Sequence, residues 1–272
     1  MKLKKLLSLL LAGAMAFSVA ACAQNEEGVT NNPEASSAAV SDTADEGTDA
    51  EDGARPTEPT GQLVIGTITD LESDFYDASF NNSATNYKLY DLLHGYGTVV
   101  SDKEGAYVYD PTVVKSHEEV ENEDGTKTYT VTVNDGLVWS DGTPITAKDY
   151  VFQLLLESSP EMNQVDGYPS QAGYPLVGYD AYLAGETENF AGVHLVDEMT
   201  YSVTVKAEEL PYHYDITYAS AMPRPMHVIA PGCDVVDSAE GASITGEFTA
   251  DLLLKTINDP ETGYRYNPSV VC

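Results

Sequence analysis

Apolar positions divide the chain into three regimes. Residues 6–21 are apolar or small with no charge, residues 23–61 hold no apolar side chain larger than valine, and from residue 62 short apolar runs alternate with turn residues. In the third regime Leu63-Val64-Ile65-Gly66-Thr67 is β-branched and reads as a buried strand. Tyr87, Leu89, Tyr90, Leu92 and Leu93 recur at helical spacing and predict a helix over 84–94, laid one-sided on a core and stopped at Gly95. A short strand follows at 107–109. Runs at 113–121 and 127–133 flank an Asp-Gly turn, and Tyr129, Val131 and Val133 alternate with polar residues, which predicts a hairpin. Asp135-Gly136 and Asp141-Gly142 turn the chain twice around Trp139, the only tryptophan. Thr146 with Asp149 three residues on predicts a capping-box-like start to a helix reaching about residue 157, with Tyr150, Val151, Leu154 and Leu155 as its stripe. A short helix at 179–184, a second hairpin from 193–196 and 201–205, and a helical edge over 210–219 broken by Met222-Pro223-Arg224-Pro225 complete the pattern. Hairpins mixed with helices, without strict βαβ alternation, predict an α/β fold in the mixed α+β sense.

The first two regimes concern location. Lys2, Lys4 and Lys5 before a short apolar run make residues 1–21 a secretory signal, too short to span a membrane. Its end, Ser18-Val19-Ala20-Ala21-Cys22, resembles the lipobox of bacterial lipoproteins, which implies a diacylglycerol on Cys22 that anchors the chain. Residues 22–61 follow as an acidic tether: ten Asp or Glu, one Arg and no aromatic residue between 23 and 61 cannot offset the entropy of ordering. Its reach is roughly 35 Å. Loss of the signal removes three lysines and no acid, taking the net charge from −31 to −34. Nucleic acid is therefore excluded as a partner. Residues 62–272 suffice for one sizeable core. Outside the cytoplasm Cys233 and Cys272 have the option of pairing, which the sequence leaves open.

Local geometry explains most residues that suggest chemistry. Trp139 between two turns reads as a core anchor, and Asp135 and Asp141 each precede glycine as turn residues, not as an acid-base pair. The five histidines are widely spaced and no metal cage is expected, His213 with His227 being the pair that keeps one open. There is no nucleophile elbow, phosphate-cradling loop or dinucleotide fingerprint, so neither an enzyme nor a cofactor is expected.

The stretches "NDGLVWSDGTPITAKDYVFQLLLE", "YDAYLAGE", "FAGVHLVDEMTYSVTVKAEELPYHY" and "AMPRPMHV" together resemble the family 5 extracellular solute-binding proteins, the oligopeptide and dipeptide receptors of ABC importers. The resemblance covers essentially all of 62–272. It implies a type II periplasmic-binding-protein-like fold of two lobes closing on an extended ligand, incomplete in this chain because family members are about twice as long. It implies a peptide or related small solute as ligand, ABC permease subunits as partners, and a place on the outer face of the bacterial cytoplasmic membrane. The loop after the first strand is where such a lobe approaches its ligand, which makes Asp70, Ser73, Asp74 and Phe75 the candidate ligand-binding residues. The competing expectation is a tethered cell-surface sensor or adhesion module without transport.

Overall fold

The computed structural model of the protein describes Val64, Gly66, residues 69–72, 74–76 and 80, and then 83–165 and 172–272. The expectations for the signal, Cys22 and the tether lie outside these residues, as does Ser73. Of the strand expected at 63–67, only Val64 and Gly66 are described; both are exposed and neither belongs to a strand.

Every strand pairing among the described residues is antiparallel. β1 (Val99–Ser101) pairs with β2 (Tyr107–Tyr109) as a small ribbon. β3 (Val114–Glu121), β4 (Lys127–Val133), β5 (Val193–Leu195) and β6 (Thr200–Val205) form one sheet in the order β3-β4-β6-β5. Both hairpins read from sequence are therefore present, and they are joined through β4 and β6 in the register Lys127 with Val205 to Thr132 with Thr200. The alternation decides which face is buried: Tyr129, Val131 and Val133 on β4 and Tyr201, Val203 and Val205 on β6 all point into the core. On the opposite face threonines bond across the strands, Thr128 to Thr204 at 3.0 Å and Thr132 to Thr200 at 3.1 Å. β3, at the sheet's edge, carries Glu118, Glu119 and Glu121, charges that discourage pairing with another chain.

Helix α2 (Ala147–Leu156) runs through the centre. Its start is the predicted one: the Thr146 amide donates to Asp149 Oδ2 at 2.9 Å, and the Lys148 amide donates to Thr146 Oγ1 at 3.3 Å. It is buried almost all round, beyond the stripe expected, because the sheet lies on one side and a further hairpin on another. That hairpin, β7 (Asp234–Ser238) with β8 (Gly241–Thr245), was not anticipated from sequence. It is moored where the Phe190 amide donates to the Ala242 carbonyl at 2.8 Å. Gly241 sits there with φ 117°, and a Cβ on it would meet Phe190 O at 2.3 Å.

Two expected helices differ. α1 (Ala84–Leu93) has the predicted length, but it buries Thr85, Asn86 and Tyr90 while Leu92 is 73% exposed and Tyr87 is also exposed. Its inner face carries hydrogen bonds to the neighbouring loop in place of an apolar seam. It ends at His94 in extended backbone, and the positive φ beyond it falls on Tyr96 at 56°, not on Gly95. Over 210–219, only Asp215–Ala219 is helical, as a 3-10 turn; residues 212–214 stand out in solvent as a Tyr-His-Tyr loop. α3 (Tyr179–Leu183) appears as expected, and α4 (Met226–Ile229) and α5 (Ala250–Thr256) complete the α-helices among the described residues. Cys233 and Cys272 are both free thiols.

Candidate functional site

The candidate ligand loop is held from behind by three polar side chains. Asn86, on the buried face of α1, donates from Nδ2 to the carbonyls of Glu72 at 3.1 Å and Asp74 at 2.8 Å, and its Oδ1 accepts from the Glu72 amide at 3.1 Å. His94 Nε2 donates to the Phe75 carbonyl at 2.6 Å, which fixes a proton on that nitrogen. Arg265 completes the clamp from far along the chain: its carbonyl accepts from the Phe75 amide at 2.7 Å, and its Nε donates to Asp74 Oδ2 at 2.8 Å. The hydroxyls of Thr69 and Thr85 are bonded to each other at the start of the loop.

The clamp separates the four sequence candidates. Asp74 is buried and turns its carboxylate inward to Arg265, with a further bond from the Tyr76 amide at 3.3 Å. Phe75 is half-buried, and both its backbone groups are engaged. Asp70 is exposed beside Leu71 at the outer part of the loop. Asp70, Asp74 and Phe75 thus belong to one short segment pinned along one side, and Ser73 lies outside the described residues.

Behind the loop stands Arg224, which the sequence showed only as a residue between two prolines. It is 3% exposed, its Nε donates to Glu157 Oε1 at 2.8 Å, and its guanidinium packs 4.2 Å from the centre of the Tyr76 ring. Its other arm reaches the Tyr76 carbonyl at 3.3 Å. Glu157 caps the C-terminus of α2, where the helix dipole disfavours an anion, so Arg224 supplies the positive charge that this end requires. Arg265 repeats the motif nearer the surface, with Asp74 as partner and the Phe80 ring centre at 4.1 Å. No short motif announces either pair, since the partners lie 67 and 191 residues apart.

The remaining polar candidates are structural. Trp139 is buried, and Asp141 accepts from the Thr143 amide at 2.9 Å inside its own turn. That bond first, with the Thr143 hydroxyl and then His227 Nε2 at 3.0 Å, holds the Asp141 carboxyl below the usual range against the opposing effect of desolvation. His227 is thereby occupied and His213 packs on Tyr214; among the described residues no group of three or more His, Cys, Asp or Glu is placed to hold a metal ion. Burial pushes the Asp149 carboxyl up, opposed chiefly by its bond from the Thr146 amide.

Known proteins resemble part of this chain. The family described as bacterial extracellular solute-binding proteins, family 5 Middle, matches residues 109–251. The periplasmic oligopeptide-binding protein OppA of Escherichia coli (strain K12) is 33% identical over 136 residues, which is 49% of this chain and 23% of that protein. The probable deoxycholate-binding periplasmic protein YgiS of the same strain is 31% identical over 130 residues, 47% of this chain and 24% of that one. Among solved structures, Listeria monocytogenes OppA bound to peptide aligns with a TM-score of 0.46 and 17% identity, covering 63% of this chain and 35% of that chain. The matched segment thus spans about a quarter of the length of the curated relatives. With 109–251 amounting to more than half of its 272 residues, the chain belongs to the bacterial extracellular solute-binding proteins, family 5.

Proposed function

We propose that the protein is a lipid-anchored extracytoplasmic receptor that binds peptides and delivers them to an ABC-type permease. The observation that carries this is the family match over 109–251, joined by the resemblance of its relatives named for oligopeptide binding. A secretory start ending in Cys22 and an acidic segment over 22–61 support a globule held off the outer face of the membrane on a tether. The ligand is met by the loop over 70–75. There Asp70 and Ser73 supply polar side chains, Phe75 a ring, and Asp74 acts through the backbone it fixes. A segment clamped from behind presents its outer edge without a large ordering cost on binding, which is what recognition of an extended peptide requires.

The deoxycholate named for YgiS makes an amphiphilic carboxylate the second ligand class. Thermal melting of the native protein, purified from its own membranes, separates the two. A saturable rise in Tm with mixed peptides of two to eight residues is the expected result. A rise with deoxycholate alone transfers the receptor to the second class, and no rise with either overturns the receptor role. Mass spectrometry of the N-terminal peptide checks the anchor: a diacylglyceryl thioether on Cys22 is expected, and an unmodified thiol there contradicts it.

A further inference from the structure

The loop that replaces the expected helix near residue 212 belongs to a surface feature that the receptor role does not use. Tyr214 meets Tyr107 of β2 edge-on at 5.4 Å between ring centres, and Tyr212 edge-on at 5.9 Å. Tyr212 stacks on Tyr218 at 5.2 Å, and Tyr218 meets Tyr174 edge-on at 6.4 Å. The five rings therefore form one unbroken run. Four of them are in solvent: Tyr107 is 45% exposed, Tyr174 and Tyr212 are each 43% exposed, and Tyr214 is 42% exposed. Scattered surface aromatics need no explanation, but a contiguous exposed run does.

Acidic groups stand at both ends. Glu104, which also lies 3.4 Å from the Lys103 ammonium in an exposed pair that a second cation can share, borders a recess of about 390 Å³ with Tyr107, His213 and Tyr214. Glu209 lies 3.5 Å from the Tyr174 hydroxyl at the other end. Lys127, close by at Asp215, is itself held between Glu119 and Asp215 at 2.8 Å each, so its charge is already matched. Partial desolvation, then the Tyr174 hydroxyl and the charge of Glu209, push the Tyr218 phenol up to about 12. The run thus offers electron-rich ring faces between carboxylates, on a chain of net charge −31.

We propose that this tyrosine run is a docking surface for a cationic, extended peptide segment, whose Lys or Arg side chains lie over the rings with their charges set toward Glu104 and Glu209. The spacing fits. Alternate side chains of an extended chain fall on one face about 6.7 Å apart, close to the 5.2 to 6.4 Å between successive rings. Cations are drawn to ring faces and gain further from nearby carboxylates, a charge attraction that a neutral glycan lacks.

The test titrates the 272-residue chain with a blocked Arg-Ser-Arg-Ser-Arg-Ser peptide, its Gln-for-Arg analogue and a hexamer of N-acetylglucosamine, followed by NMR of the tyrosine rings. Binding of the Arg peptide alone is expected. Its affinity should fall about tenfold in the Tyr212→Ala/Tyr214→Ala double variant and about threefold in Glu209→Gln. Tyr212 and Tyr214 are exposed and Glu209 is partly so, and the substitutions should leave thermal melting unchanged, which keeps loss of binding distinct from loss of fold. Equal affinity in the tyrosine variant would mean diffuse attraction to an acidic chain and would overturn the proposal. Binding of the glycan in place of the Arg peptide would overturn it as well.

Discussion

At the residue scale, Arg224 and Glu157 are the pair on which the interior depends, with side chains 4% and 6% exposed. Arg224→Met alone leaves a buried carboxylate at a helix C-terminus and should cost about 3–5 kcal/mol in chemical denaturation. Arg224→Met with Glu157→Leu should recover most of that loss, because the uncompensated charge disappears with its partner. A double variant no more stable than the single one would mean that the contact of Arg224 with Tyr76, not the ion pair, carries the cost. Asp149 gives a second comparison. Asp149→Ala removes the acceptor of the Thr146 amide and should cost about 1 kcal/mol, while Asp149→Asn keeps an acceptor and removes a buried charge, so its melting should stay near that of the parent. Thr146 and Asp149 were legible in the sequence because a cap is settled within four residues. Arg224 was not, because its identity as a buried cation depends on Glu157, Tyr76 and the fold that joins them.

At the scale of elements, both hairpins of the main sheet were legible because β4 and β6 alternate cleanly and their turns carry fixed chemistry. α1 was legible in extent but not in facing. Its larger apolar side chains suggested a seam, whereas Asn86 is the residue that the structure buries, since its amide satisfies three backbone groups of the adjacent loop. The β7–β8 hairpin leaves no period in the sequence, because only Val235, Gly241 and Ala242 of its ten strand residues are buried. Its sequence signal was Gly241. Gly241→Ala should cost about 2 kcal/mol or more, by driving a Cβ into the Phe190 carbonyl, and should raise amide exchange across β7 and β8 specifically. Uniform exchange across the chain would show that the hairpin is not separately moored.

At the scale of the whole molecule, the core is unusually rich in phenols. Burial is the main cause that pushes the hydroxyls of Tyr109, Tyr129, Tyr150, Tyr182, Tyr201 and Tyr264 up from 10.0. A raised folded-state pKa means that this contribution to stability is fully present below about pH 10 and is lost as pH rises beyond it. Absorbance at 295 nm should therefore show a group of tyrosines that ionises only together with unfolding; full tyrosine ionisation while the fold is intact would contradict the burial. The family to which the chain belongs is described as bacterial extracellular solute-binding proteins.

We propose that the ligand is met by the loop over 70–75, which Asn86, His94 and Arg265 clamp. Hydrogen–deuterium exchange on the native protein, with and without a saturating peptide, tests it most directly. Protection concentrated over 69–76 on peptide binding is the predicted result, and saturation by peptide with exchange in that segment unchanged would contradict it.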